Sequence, residues 1–119
     1  MAEKRRFLRF GTALSAICES VSERWSLASE IKNISKAGAL LVLTKPLETG
    51  SEIKLSMDVP GDNVPIFTSC QVAWQGKPKK FRKDASYKTG VKFTDMDNHN
   101  RARFLDYIYT LWLRILDKV

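Results

Sequence analysis

One stretch of the chain, residues 31–43, sets strong limits on the fold. Asn33, Ser35 and Gly38 stand at fixed offsets, and a run of aliphatic residues, 39–43, follows at once. Asn and Ser side chains bond readily to nearby backbone, and Gly adopts backbone angles that other residues avoid, so the pattern predicts a tight turn. The aliphatic run is typical of a buried strand. Such a turn on a rigid sheet edge presents an amide and a hydroxyl side by side as a hydrogen-bonding platform.

The length and composition indicate one globular domain. The chain has 119 residues, and single domains commonly hold about 100–150. A hydrophobic content of 44% and a charged content of 28% are ordinary for globular proteins and argue against global disorder. No apolar run approaches the length of a membrane span, and no apolar signal core follows the charged N-terminus. We therefore expect a single domain over residues 1–119, without a membrane span, in the cytoplasm.

The charge balance points to an anionic partner. The formal net charge is +7, which suits a nucleic acid, a nucleotide, a membrane surface or an acidic protein. The excess lies in two clusters, Lys4, Arg5, Arg6 and Arg9 near the start and Lys77, Lys79, Lys80, Arg82 and Lys83 in a predicted hairpin tip that we expect to be solvated.

Metal binding and catalysis find little support in the sequence. The two cysteines, Cys18 and Cys70, lie far apart and His99 is the single histidine, so the four ligands of a zinc site are missing and no metal is expected. The cysteines are interpreted as small core residues. The carboxylates are scattered and no phosphate-binding glycine motif occurs, so we do not expect an enzyme.

Alternation of apolar and polar residues predicts a β-rich fold. The predicted strands are 12–19, 25–33, 39–43, 52–58, 66–75 and 86–93, separated by turns containing Gly, Pro, Asn or Asp. This spacing is typical of a sandwich or a small barrel.

Helical spacing replaces the alternation after Asp95. Apolar residues fall on one broad arc, and Asp97 or Asn98 is suited to cap the helix N-terminus. Tyr109 and Leu113 widen that arc beyond what one barrel face needs. We expect the helix to pack across the mouth or flank of the sheet. An alternative is that the additional apolar residues also contact a partner protein or a second copy of the chain.

The basic arm contains two arginines four residues apart, Arg5 and Arg9. Their side chains share one side in either a helical or an extended chain, so two guanidinium groups can grip one ligand. Each can hold a phosphate, or the O6/N7 edge of a guanine, through two hydrogen bonds. A basic N-terminus is also often just solvated, and the arm alone does not decide between these interpretations.

Together these segments resemble the PilZ domain family. Residues 5–9 fit the motif R-x-x-x-R, and residues 33–38 fit [D/N]-x-S-x-x-G. Residues 47–53, 70–74 and 87–93 are similar to the family's strand patterns L-x-x-G-x-x-[VI], V-x-W and Y-x-x-G-[VI]-x-F. The resemblance covers about residues 3–95.

The resemblance implies an all-β fold: a six-stranded antiparallel β-barrel with a C-terminal α-helix packed on it. We divide the chain accordingly into a mobile basic arm over 1–11, a barrel over 12–95 and a helix over 97–118. It also implies a receptor for the bacterial second messenger cyclic di-GMP. Our hypothesis for the mechanism is that ligand binding orders the arm and changes the surface offered to a protein partner.

The site residues implied by the resemblance lie in the two motifs. Arg5 and Arg9 would hold guanine edges and phosphates, Asn33 and Ser35 would bond a guanine and help to fix the arm, and Gly38 would let the backbone come close. Asn33 stands where Asp is commoner, so it lacks a charge that strengthens such contacts.

Three further residues are possible ligand contacts: Lys4 and Arg6 through their charge, and Trp74 through stacking on a guanine. The alternation of its strand groups Trp74 with Cys70 and Val72, so we expect it in the core.

Two other functions compete with the receptor hypothesis. One is a PilZ-like adaptor that works by protein contact with little nucleotide affinity. The other is a small basic barrel that binds single-stranded nucleic acid, which requires exposed aromatic residues interleaved with Lys and Arg. The strand aromatics here mostly align with core positions, so we do not expect nucleic acid as a partner.

Overall fold

The computed structural model describes residues 8–76 and 86–117. These residues form six strands and one helix: β1 Phe10–Ser20, β2 Ser26–Ile34, β3 Gly38–Leu43, β4 Glu52–Met57, β5 Ile66–Gln75, β6 Tyr87–Asp95 and α1 Asn98–Asp117. The strands close into an antiparallel barrel in the order β1-β2-β3-β6-β5-β4. The predicted six-stranded barrel with a C-terminal helix is confirmed. β1 begins at Phe10, inside the segment assigned to the arm.

The barrel interior is filled by the inward-facing residues of all six strands. Ile31, Leu41 and Leu55 are among those fully buried, as the alternation predicts. Cys18 and Cys70 are buried free thiols, and burial raises the pKa of each to about 12. Both cysteines are core residues, as predicted, and burial disfavours their reactive thiolate form.

Two β-bulges reverse the side-chain direction of a strand near its end. The β2–β3 register shifts between Ile31 and Asn33, and the β5–β6 register shifts between Val72 and Trp74. Each shift inserts one unpaired residue into the strand. The next residue, Asn33 in β2 or Trp74 in β5, therefore points outward, although strict alternation would place it inside the barrel. The prediction that Trp74 lies in the core is therefore wrong: its side chain is 48% exposed on the outer face of the barrel.

Helix α1 is capped by Asp97, one of the two predicted capping residues. Asp97 Oδ1 accepts a hydrogen bond from the Asn100 backbone N–H at 2.8 Å, and Oδ2 accepts one from Asn100 Nδ2 at 2.9 Å. Asn100 Oδ1 in turn accepts from the Phe67 backbone N–H at 3.1 Å, which fixes the start of α1 against β5.

The inner side of α1 covers one part of the barrel. Phe104, Ile108 and Leu111 are buried, and the Phe104 ring packs edge-on against Phe93 with centroids 5.3 Å apart. Within the described residues no helix is long and apolar enough to cross a membrane.

Candidate nucleotide-binding site

The turn between β2 and β3 is organised by the hydroxyl of Ser35. Ser35 Oγ accepts hydrogen bonds from the backbone N–H groups of Ala37 and Gly38, both at 3.2 Å, and its own backbone N–H donates to the Gly38 carbonyl at 2.8 Å. The Ser35 side chain is 4% exposed. This is the tight turn that the sequence predicts, and its shape depends on one buried side chain.

Gly38 allows β3 to approach β6 unusually closely. A methyl group at this position would lie 2.2 Å from the Val91 carbonyl oxygen and 3.2 Å from Lys92 Cα. The Phe93 backbone N–H donates to the Ala37 carbonyl at 2.8 Å, so the turn is also anchored to β6. The close contact of Gly38 is therefore with the backbone of a neighbouring strand, and it holds the turn in place.

The two motifs meet in a single hydrogen bond. Arg9 Nη1 donates to Asn33 Oδ1 at 3.0 Å on the protein surface. Arg9 lies just before β1, and Asn33 pairs with Gly11 of β1, so the barrel itself brings the two residues together. The bond uses one of the five N–H donors of the guanidinium group. Arg9 is thus held at the rim of the barrel while it retains donors for an anion or a guanine edge.

Strand pairing aligns Asn33 with Trp74 across the outer face of the barrel. Asn33 pairs with Leu40, Leu40 with Gly90, and Gly90 with Trp74. We call these four residues the outer row. At about 4.8 Å per strand, its ends are about 14 Å apart along the sheet. The Trp74 indole lies over Gly90, since a methyl group built there would be 2.3 Å from Trp74 Nε1.

Two lysines border the outer row. Lys92 is exposed and pairs with Gly38, two residues along β6 from Gly90. Lys36 is exposed within the turn itself. Sequence reasoning did not identify Lys92, Lys36 or Leu40 as part of the site. Lys36 and Leu40 come near Asn33 within the β2–β3 hairpin, whereas Lys92 is placed by the β3–β6 register, for which the sequence carries no local signal.

The arrangement can hold a ligand that is both aromatic and anionic. Arg9 offers a planar set of donors, the Asn33 amide has a donor and an acceptor, and Trp74 has an exposed ring face. Within residues 8–76 and 86–117, no cluster of His, Cys, Asp and Glu is suited to hold a metal ion.

Comparison with known proteins identifies the family. The family model of the PilZ domain matches residues 3–110. This chain belongs to the PilZ domain family. No curated protein matches it in sequence.

Solved structures share its fold at low sequence identity. The PilZ domain of YcgR from Escherichia coli with c-di-GMP has a TM-score of 0.72 and 14% identity, over 98% of this chain and 97% of that one. The inhibitor of motility MotI/DgrA from Bacillus subtilis has a TM-score of 0.75 and 17% identity, over 99% and 54%. The K. pneumonia MrkH–c-di-GMP complex has a TM-score of 0.77 and 18% identity, over 100% and 56%. The chain therefore spans about half the length of MotI/DgrA and MrkH.

In this PilZ domain, four of the predicted site residues lie at the end of the β2–β3 hairpin: Arg9, Asn33, Ser35 and Gly38. Trp74 lies on the same outer face. Lys4, Arg5 and Arg6, and the basic segment Lys77 to Lys83, lie outside the described residues.

Proposed function

We propose that this PilZ domain is a receptor for cyclic di-GMP and binds it on the outer row, next to Arg9. The observation that carries the proposal is the Arg9–Asn33 hydrogen bond, which joins the two motifs at one place on the surface. The shared fold of two structures solved with c-di-GMP, those of YcgR and MrkH, supports the choice of ligand.

Each part of the ligand has a matching group in the site. Cyclic di-GMP carries two phosphates and two guanine bases. Arg9 donates to a phosphate or to the O6/N7 edge of a guanine, and Asn33 Oδ1 orients the guanidinium group. Trp74 offers its exposed indole for stacking on a guanine, and Lys92 adds positive charge beside it.

Ser35 and Gly38 act in this proposal mainly by shaping the turn. The Ser35 hydroxyl already bonds to the backbone of Ala37 and Gly38, and Gly38 packs on β6. Together they keep Asn33 at a fixed position at the end of β2, so the ligand meets a preformed surface.

The basic arm supplies the second guanidinium group. Arg5 precedes Arg9 by four residues, with Lys4 and Arg6 beside it. We propose that the ligand draws Arg5 against the same face, orders the arm and changes the surface presented to a downstream protein. Free cysteines are typical of reducing compartments, so a cytoplasmic location is part of this proposal.

Calorimetric titration with cyclic di-GMP tests the proposal, with GTP and cyclic AMP as control ligands. We expect binding of cyclic di-GMP alone, and a loss of affinity of about tenfold or more in Arg9→Ala. Arg24→Ala is the matched control, because Arg24 is also exposed but lies in the β1–β2 turn, at the other end of those strands. Equal affinity in Arg9→Ala and Arg24→Ala would dismiss the arginine role. No binding by the unsubstituted protein would favour the adaptor that works by protein contact.

A further inference from the structure

Helix α1 carries a second apolar stripe that the barrel does not cover. The buried residues of the helix are Asn100, Phe104, Tyr107, Ile108 and Leu111. A different set, which we call the outer stripe, is exposed: Ala102, Leu105, Tyr109, Trp112 and Leu116. Leu105 is 40%, Tyr109 55%, Trp112 41% and Leu116 48% exposed. Large apolar residues aligned on one exposed face mark an interaction surface.

Three residues of the outer stripe, Leu105, Tyr109 and Trp112, form one wall of a groove together with Ile108. The groove has a volume of about 490 Å³, and Leu8, Phe10 and Lys36 form its opposite wall. The rings of Tyr109 and Trp112 pack at a centroid distance of 6.0 Å, so the helix side of the groove is continuous. An apolar element laid along α1 would contact both walls.

The spacing of the outer stripe is that of a helix pair. Its residues follow one another at intervals of 3, 4, 3 and 4, which is the heptad pattern with Ala102, Tyr109 and Leu116 at positions a and Leu105 and Trp112 at positions d. A second helix packed in register against this stripe would meet a regular set of knobs and holes along the whole exposed length of α1.

The charges beside the outer stripe match those of a second copy. Arg101 takes position g and Asp106 takes position e of the next heptad, and both are exposed. When two such helices pair in parallel, position g of one faces this position e of the other. Each copy then supplies one Arg101 and one Asp106, and two opposite-charge pairs form across the two-fold axis.

We propose that this chain forms a parallel two-fold dimer through the outer stripe of α1, with Leu8 and Lys36 lying along the partner helix. The proposal goes beyond nucleotide binding and does not depend on it. It places the dimer contact next to Arg9, since Leu8 in the groove wall is the residue before it.

The first test is the mass of the full chain in solution, measured by analytical ultracentrifugation up to about 100 μM. We expect a dimer, and a rise of about tenfold or more in its dissociation constant for Trp112→Glu and Leu116→Glu. Thr110→Glu is the matched control, because it places the same carboxylate at an exposed position of α1 outside the outer stripe. Circular dichroism establishes that each variant is folded. A protein that is monomeric at every concentration would overturn the proposal. It would also be overturned if the dimers of Trp112→Glu and Leu116→Glu were as stable as the dimer of Thr110→Glu.

The second test addresses the orientation. Ala102→Cys places equivalent thiols opposite each other in a parallel pair, so we expect an oxidised covalent dimer. Cys18 and Cys70 are buried and do not compete. Arg101→Glu and Asp106→Arg should each weaken the dimer, while the double variant should restore it. Failure of Ala102→Cys to cross-link a protein that is dimeric by mass, or of the double variant to recover, would overturn the parallel pair.

Discussion

The indole of Trp74 on β5 lies over Gly90 on β6, with no room for a side chain between them. A methyl group at Gly90 would stand 2.3 Å from Trp74 Nε1 and 2.5 Å from Cε2. The obstacle is an exposed side chain and not backbone, so a larger residue at position 90 would displace the indole and leave the barrel in place. This relationship separates the position of the Trp74 ring from the stability of the fold.

Gly90→Ala is therefore expected to weaken cyclic di-GMP binding with little loss of stability. If the ring stacks on a guanine, its displacement should cost about 1–3 kcal/mol, the usual worth of one base stacked on an aromatic ring. Calorimetry gives the affinity and thermal unfolding gives the stability. Trp74→Phe is the control, because it keeps a ring at this position and should lose less affinity. Unchanged binding in both Gly90→Ala and Trp74→Ala would remove Trp74 from the site.

The sequence predicts the strands and the turn better than it predicts the face of the barrel that carries the site. Ser35 and Gly38 act through contacts that begin within a few residues, so their residue types alone indicate a turn. Asn33 and Trp74 each follow a bulge, and the extra residue at Lys32 and Ala73 reverses their direction. A prediction based on strict alternation along a strand cannot detect such an insertion, and for this reason Trp74 is predicted in the core.

The outer row cannot be predicted from the sequence either, for a different reason. Leu40 is adjacent to Gly90 because β3 pairs with β6, and Gly90 is adjacent to Trp74 because β6 pairs with β5. These registers are set by packing across the whole barrel. The motifs identify Arg9 and Asn33, but the structure is needed to place Lys92 opposite Gly38.

Gly38→Ala is expected to destabilise the barrel. The added methyl group would meet the Val91 carbonyl at 2.2 Å, and that oxygen belongs to a backbone held in the β3–β6 ladder. Overpacking of this kind typically costs about 1–3 kcal/mol in the free energy of unfolding. Urea unfolding measures it. Gly11→Ala is the matched control, because nothing lies within 4 Å of a methyl group there. Equal stability of the two variants would contradict the close approach of β3 to β6.

Asn33→Asp is expected to strengthen cyclic di-GMP binding. The Arg9 guanidinium donates to Asn33 Oδ1 at 3.0 Å, and a carboxylate in its place would make a charge-assisted bond that holds Arg9 more firmly. Because the pair is exposed, the gain should be modest, about threefold in affinity, and should shrink at high salt. Titrations at low and high salt measure both effects. Asn63→Asp adds the same charge in the turn after β4 and serves as the control. A weaker affinity in Asn33→Asp would show that the amide N–H₂ is itself a ligand contact.

The cap of α1 is expected to make the helix sensitive to acid. The backbone N–H and side-chain amide of Asn100 donate to the Asp97 carboxylate and hold its pKa below the usual value. A carboxyl group with a depressed pKa in the folded state adds stability above its unfolded pKa, about 3.9, and loses that contribution as the pH falls through the lower, folded value. Asp97→Asn keeps an acceptor for the cap but does not titrate. The melting temperature of the unsubstituted protein should therefore exceed that of Asp97→Asn at neutral pH, and the difference should shrink as the pH falls below about 4. Thermal melts of both proteins across this range measure it, and a difference that stays constant down to about pH 2 would mean that the charge of Asp97 has no part in the cap.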